Sequence, residues 1–90
     1  MRRIHIRQLL QRFNGNSGMK EKEMLKQMGA RIRTIRKGKN CDLLSVGRKT
    51  GIGAVRMERI EKGEINLRFY TLARIAEALA VDVSELVLNV

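Results

Sequence analysis

Ninety residues leave room for one small domain and not comfortably for two. A hydrophobic share of 43%, with two Phe, one Tyr and no Trp, means an aliphatic core of Leu, Ile, Val, Met and Ala, which suits packed helices. The single Cys and single His exclude an intrachain disulfide and a cysteine-based metal cluster, and no apolar run approaches the length of a membrane span.

No proline and few alternating β-branched residues are present, so strands are poorly signalled and an all-α fold is expected. The formal net charge of +10 is unevenly spread: residues 1–18 carry +4, 19–40 carry +6, 41–63 carry +2 and 64–90 carry −2. A basic front and a mildly acidic back suit a protein that meets phosphates with one side and protein with the other. Charge therefore favours nucleic acid over a membrane surface. Residues 1–18 lack the uninterrupted apolar run of a secretory signal, which points to a soluble, cytoplasmic protein.

In chain order, Ile6, Leu9, Leu10 and Phe13 fall on one helical face, with Arg2, Arg3, Arg7 and Arg12 elsewhere. Asn14-Gly15-Asn16-Ser17-Gly18 then breaks any helix. This basic extension, residues 1–18, has three readings: a helix packed on the domain or a partner subunit, a basic arm following DNA, or residues translated upstream of a natural start at Met19. Residues 19–90 form the domain proper. Its first helix is expected from about Lys20 to Lys37, with Leu25, Met28, Ile32 and Ile35 as its stripe, Met24 beside it, and Gly38-Lys39-Asn40 as its end. Asp42 is a natural N-cap for a short helix from Leu43 to Thr50. A further helix is expected from Ala54 to Lys62 with Gly63 as its stop, then one from about Arg68 to Ala80 whose stripe is Phe69, Leu72, Ile75, Ala76 and Leu79. Asp82 or Ser84 caps a last short helix, Glu85 to Leu88.

The informative stretch is Leu43 to Gly63, LLSVGRKTGIGAVRMERIEKG. Two short helices meet at Gly51-Ile52-Gly53, and Val46, Gly47, Thr50, Ile52, Met57 and Ile60 are spaced to pack them across each other. Gly47 falls where they come closest, and Gly51 falls where the first must stop at a positive φ. This is the spacing of a helix-turn-helix, whose second helix lies in the DNA major groove.

Over roughly Met28 to Leu86 the chain resembles the phage repressor and Cro type of helix-turn-helix, the XRE family. The resemblance rests on Gly29-x-Arg31-Ile32-Arg33-x-Ile35-Arg36-Lys37, Thr50-Gly51-Ile52, Arg59-Ile60-Glu61-Lys62-Gly63 and Leu72-x-x-Ile75-Ala76-x-Ala78-Leu79-x-Val81. It implies a five-helix domain in which Ala54, Val55 and Arg59 face base edges, with Arg56 on the flank. Arg59 suits the O6 and N7 of guanine, a contact worth about 1–3 kcal/mol of discrimination, while Ala54 and Val55 suit thymine methyl groups. It also implies an ion pair between Arg36 and Glu61 tying the first helix to the end of the recognition helix.

Some positions depart from the family. Leu43 replaces a phosphate-binding Gln and offers only its backbone N–H, and Gly53 replaces a Ser or Thr cap. Asp42 sits close to where the DNA backbone would run and would repel it, and Leu67 stands where a Pro is common. Lys62, Arg48, Lys49 and Arg68 compensate by general attraction to phosphate. Cys41 stands where the family usually has Leu, which makes it a small buried hydrophobe ahead of a redox sensor.

The function expected is a DNA-binding transcription regulator acting as a homodimer on a palindromic operator. The apolar tail (Val81, Val83, Leu86, Val87, Leu88, Val90) would supply the contact between subunits. The alternative is an antitoxin or anti-regulator of the same fold whose main partner is another protein, held by residues 1–18. An enzyme is not expected. No paired acid and base stand in a recognisable setting, Cys41 and His5 are separated by a flexible turn, and Gly51-x-Gly53 lies between helices rather than after a strand. No cofactor or metal is expected.

Overall fold

The computed structural model describes residues 21–87, which form five α-helices and, among the described residues, no strand. They are α1 (Glu21–Gly38), α2 (Leu43–Thr50), α3 (Ala54–Glu61), α4 (Phe69–Ala78) and α5 (Val83–Val87). The all-α, five-helix expectation is borne out there. The readings placed on residues 1–18, on Met19 as a start and on Leu88 to Val90 lie outside the described residues.

Helix α1 buries Met24, Met28, Ile32 and Arg36, a strict four-residue repeat that puts them on one face, with Leu25 and Ile35 half-buried beside them. Glu21 and Glu23 in its first turn and Arg36 and Lys37 in its last suit the helix dipole. Its end is closed by Asn40 rather than Gly38. Asn40 takes φ 53, Cys41 N–H donates to Arg36 O at 3.1 Å, and Asn40 N–H donates to Lys37 O at 3.0 Å. This pair of bonds is a Schellman closure. It recurs after α3, where Glu64 and Gly63 donate to Arg59 O and Ile60 O at 3.0 Å each. It recurs again after α4, where Val81 donates to Ala76 O at 3.0 Å around Ala80 at φ 58.

Helix α2 begins as expected, with Asp42 Oδ1 accepting the Ser45 N–H at 2.7 Å, and stops at Gly51, φ 75. Helix α4 is shorter than expected. Arg68 is its N-cap, Ala78 its last residue, and the left-handed Ala80 ends it early. Phe69, expected in the apolar stripe, is 44% exposed because it opens the helix on the solvent side, and Leu72, Ile75, Ala76 and Leu79 carry the stripe without it. Helix α5 starts at Val83 instead of Glu85, and Glu85 Oε2 reaches back to accept the Asp82 N–H at 3.1 Å.

Ile32, Val46, Met57, Leu72 and Ile75 are fully buried at the centre, joined by Ile60, Leu79, Leu86 and Val87. Two glycines set how closely the helices approach. A Cβ at Gly47 would lie 2.6 Å from Ala54 N, and one at Gly29 would run into the carbonyl oxygens of Ile60 and Glu61. Gly47 thus lets α2 meet the start of α3, and Gly29 lets α1 meet its end.

Candidate nucleic-acid interface

The turn between α2 and α3 is held by polar contacts as well as packing. Gly53 N–H donates to Gly47 O at 3.1 Å, and Ile52 N–H donates to Thr50 Oγ1 at 3.2 Å. The buried Thr50 hydroxyl in turn donates to Val46 O at 2.8 Å. Arg74 of α4 reaches across to donate through Nη2 to Thr50 O, and its guanidinium carbon lies 5.5 Å from the Tyr70 ring centre. A free carbonyl at the end of α2 is thereby occupied by a cation, the favourable sign for a helix C-terminus.

Helix α3 turns Met57, Ile60 and Glu61 inward. By helical geometry Val55 and Arg59, four residues apart, then lie on the opposite, outward face. Val55 is 77% exposed, Arg56 is exposed and Ala54 is half-buried. These side chains border an open concavity that Ile52, Gly53 and Ile65 complete. Arg59 Nε lies 3.6 Å from Glu64 Oε1, both side chains remaining more than half exposed.

Gly53, exposed at the start of α3, has φ 93 and ψ 148 and gives no side-chain cap. An L side chain is strained in that backbone conformation, which adds a reason for Gly that composition and spacing did not contain. The Ser or Thr usual at this position would meet that strain. Leu43 opens α2 half-buried and packs on the core, so its backbone N–H is what it presents. Lys62 is exposed just after α3 with Nζ 4.0 Å from Glu58 Oε2, and Arg68 is exposed ahead of α4. Arg48 and Lys49 are exposed in the last turn of α2.

Behind this surface, Arg36 and Glu61 meet in a two-pronged pair. Nε donates to Oε2 at 2.6 Å and Nη2 donates to Oε1 at 3.0 Å, with side chains 8% and 4% exposed. The third arm, Nη1, donates to Cys41 O at 2.9 Å, so one guanidinium joins α1, the α1–α2 loop and the end of α3. The hydrogen bond to Glu61 holds the Arg36 pKa above its ordinary value, against the opposing effect of burial. Cys41 itself is half-buried against the core, less enclosed than a core Leu would be.

Three residues in this arrangement escaped sequence reasoning as contact-makers: Gly29, Arg74 and Glu64. Gly29 and Arg74 act through helix crossings that no local pattern reveals. Glu64 carried a usable signal, since a left-handed Gly63 brings the next residue's N–H onto the carbonyl of Arg59.

A family model described as a helix-turn-helix domain matches residues 27–88. Among solved structures, the fold is similar to a transcriptional regulator of the HTH_3 family from Vibrio cholerae. That match has a TM-score of 0.71 and 24% identity over 74% of this chain, and it spans only 38% of the regulator's length. It is also similar to the DNA-binding domain of BldD, with a TM-score of 0.68 and 32% identity over 78% of this chain and 100% of that one. No curated protein matches the sequence. With its turn, crossing and buried pair in place, and a family match over most of its length, this chain belongs to the helix-turn-helix domain family.

Proposed function

We propose that the chain is a transcription regulator that reads duplex DNA by laying α3 in the major groove, as a homodimer on a palindromic operator. The observation that carries this reading is the outward face of α3, where Val55 is 77% exposed with Arg59 beside it while Met57, Ile60 and Glu61 anchor the opposite side. An apolar residue so exposed gains nothing from solvent, and thymine methyl groups are suitable partners for it. Arg59 and Arg56 offer base or phosphate contacts. Lys62, Arg68, Gly53 and the Leu43 N–H would meet the phosphates on its flanks. The relatives' printed descriptions, a transcriptional regulator and a DNA-binding domain, support the same reading.

A helix of eight residues spans too few base pairs to select a genomic site, which favours two copies on half-sites about one helical turn apart. The apolar tail has less to give a dimer than its composition suggests, because Leu86 and Val87 are buried in the domain's own core. Among the described residues, contacts between copies then fall to the half-buried Val81 and Val83.

Selection of bound sites from random duplex DNA tests this function. An enriched palindrome whose binding weakens steeply with salt is the expected outcome. A single half-site would remove the dimer. Absence of enrichment would remove sequence-specific reading and leave a protein partner as the role of the fold.

A further inference from the structure

We propose that Glu64 is a positioning residue for base readout: it holds Arg59 by the Nε edge and leaves both terminal nitrogens free to address a guanine. This inference rests on the DNA-reading function proposed above and adds a residue to it that lies outside α3.

Three observations carry it. The first is which edge is engaged. Glu64 Oε1 faces Arg59 Nε at 3.6 Å, and a bidentate contact with guanine O6 and N7 can be made end-on, through the two Nη groups. A carboxylate on the Nη pair would compete with a base there, and one on the Nε side leaves that end-on edge open.

The second is how Glu64 is fixed. Its N–H donates to the carbonyl of Arg59 itself at 3.0 Å across the left-handed turn at Gly63, φ 74. A Cβ at Gly63 would lie 2.6 Å from Lys26 Cα, so the turn is packed against α1 and does not swing freely. Backbone and side chain of Glu64 thus address the same residue, and the carboxylate's position follows that of α3. The third is exposure. Both side chains are more than half exposed, so the pair contributes little to the fold, as exposed ion pairs generally do. An acid kept beside a surface that would face phosphates has an electrostatic cost on DNA, which orienting the reading arginine would offset.

Arginine carries many rotamers, and a fixed partner on one edge reduces the freedom lost when the opposite edge forms its hydrogen bonds. The predicted consequence is discrimination and not overall affinity. Replacing Glu64 by Gln removes a negative charge near the phosphates, so total DNA affinity rises, while preference for guanine at the position read by Arg59 falls.

The experiment is site selection followed by binding to single-base variants, using the full chain, Arg59→Ala, Glu64→Gln and the double variant at one salt concentration. Thermal melting of each variant confirms that it folds. The expected result is a guanine preference that disappears in Arg59→Ala and falls by about threefold or more in Glu64→Gln, from a contact whose full value is about fivefold to a hundredfold. In the Arg59→Ala background, Glu64→Gln changes no base preference, as coupling between the two requires. A guanine preference that depends on Arg59 but is untouched in Glu64→Gln overturns the inference. So does a preference that survives Arg59→Ala. If the unaltered chain enriches no site at all, the DNA-reading function itself fails and takes this inference with it, a result distinct from the other two.

Discussion

Helix α3 carries an Arg–Glu pair on each side, and the two pairs share a chemistry and little else. Arg36 and Glu61 are enclosed, doubly hydrogen-bonded at 2.6 and 3.0 Å, and backed by the Cys41 carbonyl. Arg59 and Glu64 make one contact at 3.6 Å and stand mostly in water. Glu61 and Glu64 are three residues apart in sequence, and the turn at Gly63 separates their fates. The enclosed pair is costly to break because a lone buried charge would remain, whereas the open pair loses almost nothing to solvent when broken. The same two residue types therefore serve as a strut on one face of the helix and as a solvent-exposed contact on the other.

The largest expected effect is on the strut. Glu61→Ala should lower stability by about 3–5 kcal/mol, read as a large drop in melting temperature. An unchanged melting temperature would show that the pair contributes nothing. Replacing both partners, Arg36→Met with Glu61→Leu, should recover most of that loss, since no charge is left unpaired. The strut's pH dependence also follows. With the Arg36 pKa raised in the fold, its contribution is full below the ordinary arginine pKa and is lost only as pH climbs past it. Melting between neutral pH and pH 9 should show no loss traceable to Arg36.

Next comes the approach that makes the strut possible. Gly29→Ala would press a methyl against the Ile60 and Glu61 carbonyls and should cost about 1–3 kcal/mol by chemical denaturation. Away from both pairs, Ala80→Gly should raise stability by about 1 kcal/mol, because Ala80 sits at φ 58 where an L side chain is strained. The smallest effect should be Glu64→Ala, within about 0.5 kcal/mol of the unaltered chain. A loss there as large as that of Glu61→Ala would erase the contrast between the pairs.

The parts legible in the sequence were those set by local rules. The bounds of α2 follow from Asp42 and Gly51, whose capping roles act within a few residues. The family match over residues 27–88 agrees closely with the resemblance drawn over Met28 to Leu86. The end of α4 is not legible, because Leu79 and Ala80 are good helix formers and nothing local announces that an alanine will turn left-handed. Phe69 fits the apolar stripe by residue type, but a helix's first residue need not face the core. Of the candidate interface, the outward face of α3 is legible through the family resemblance, and the partners of its arginines are not. Arg74 reaches Thr50 over 24 positions, a contact that exists only once the helices have crossed.

That Arg74 contact bears on how the domain opens. Turns between helices ordinarily exchange their amide hydrogens quickly, through small local fluctuations. Here the Ile52 and Gly53 amides are bonded within a turn whose carbonyl end is gripped from α4. Loosening the turn therefore also breaks a contact with α4. The Ile52 and Gly53 amides should then exchange more slowly in the unaltered chain than in Arg74→Ala, which hydrogen exchange would read.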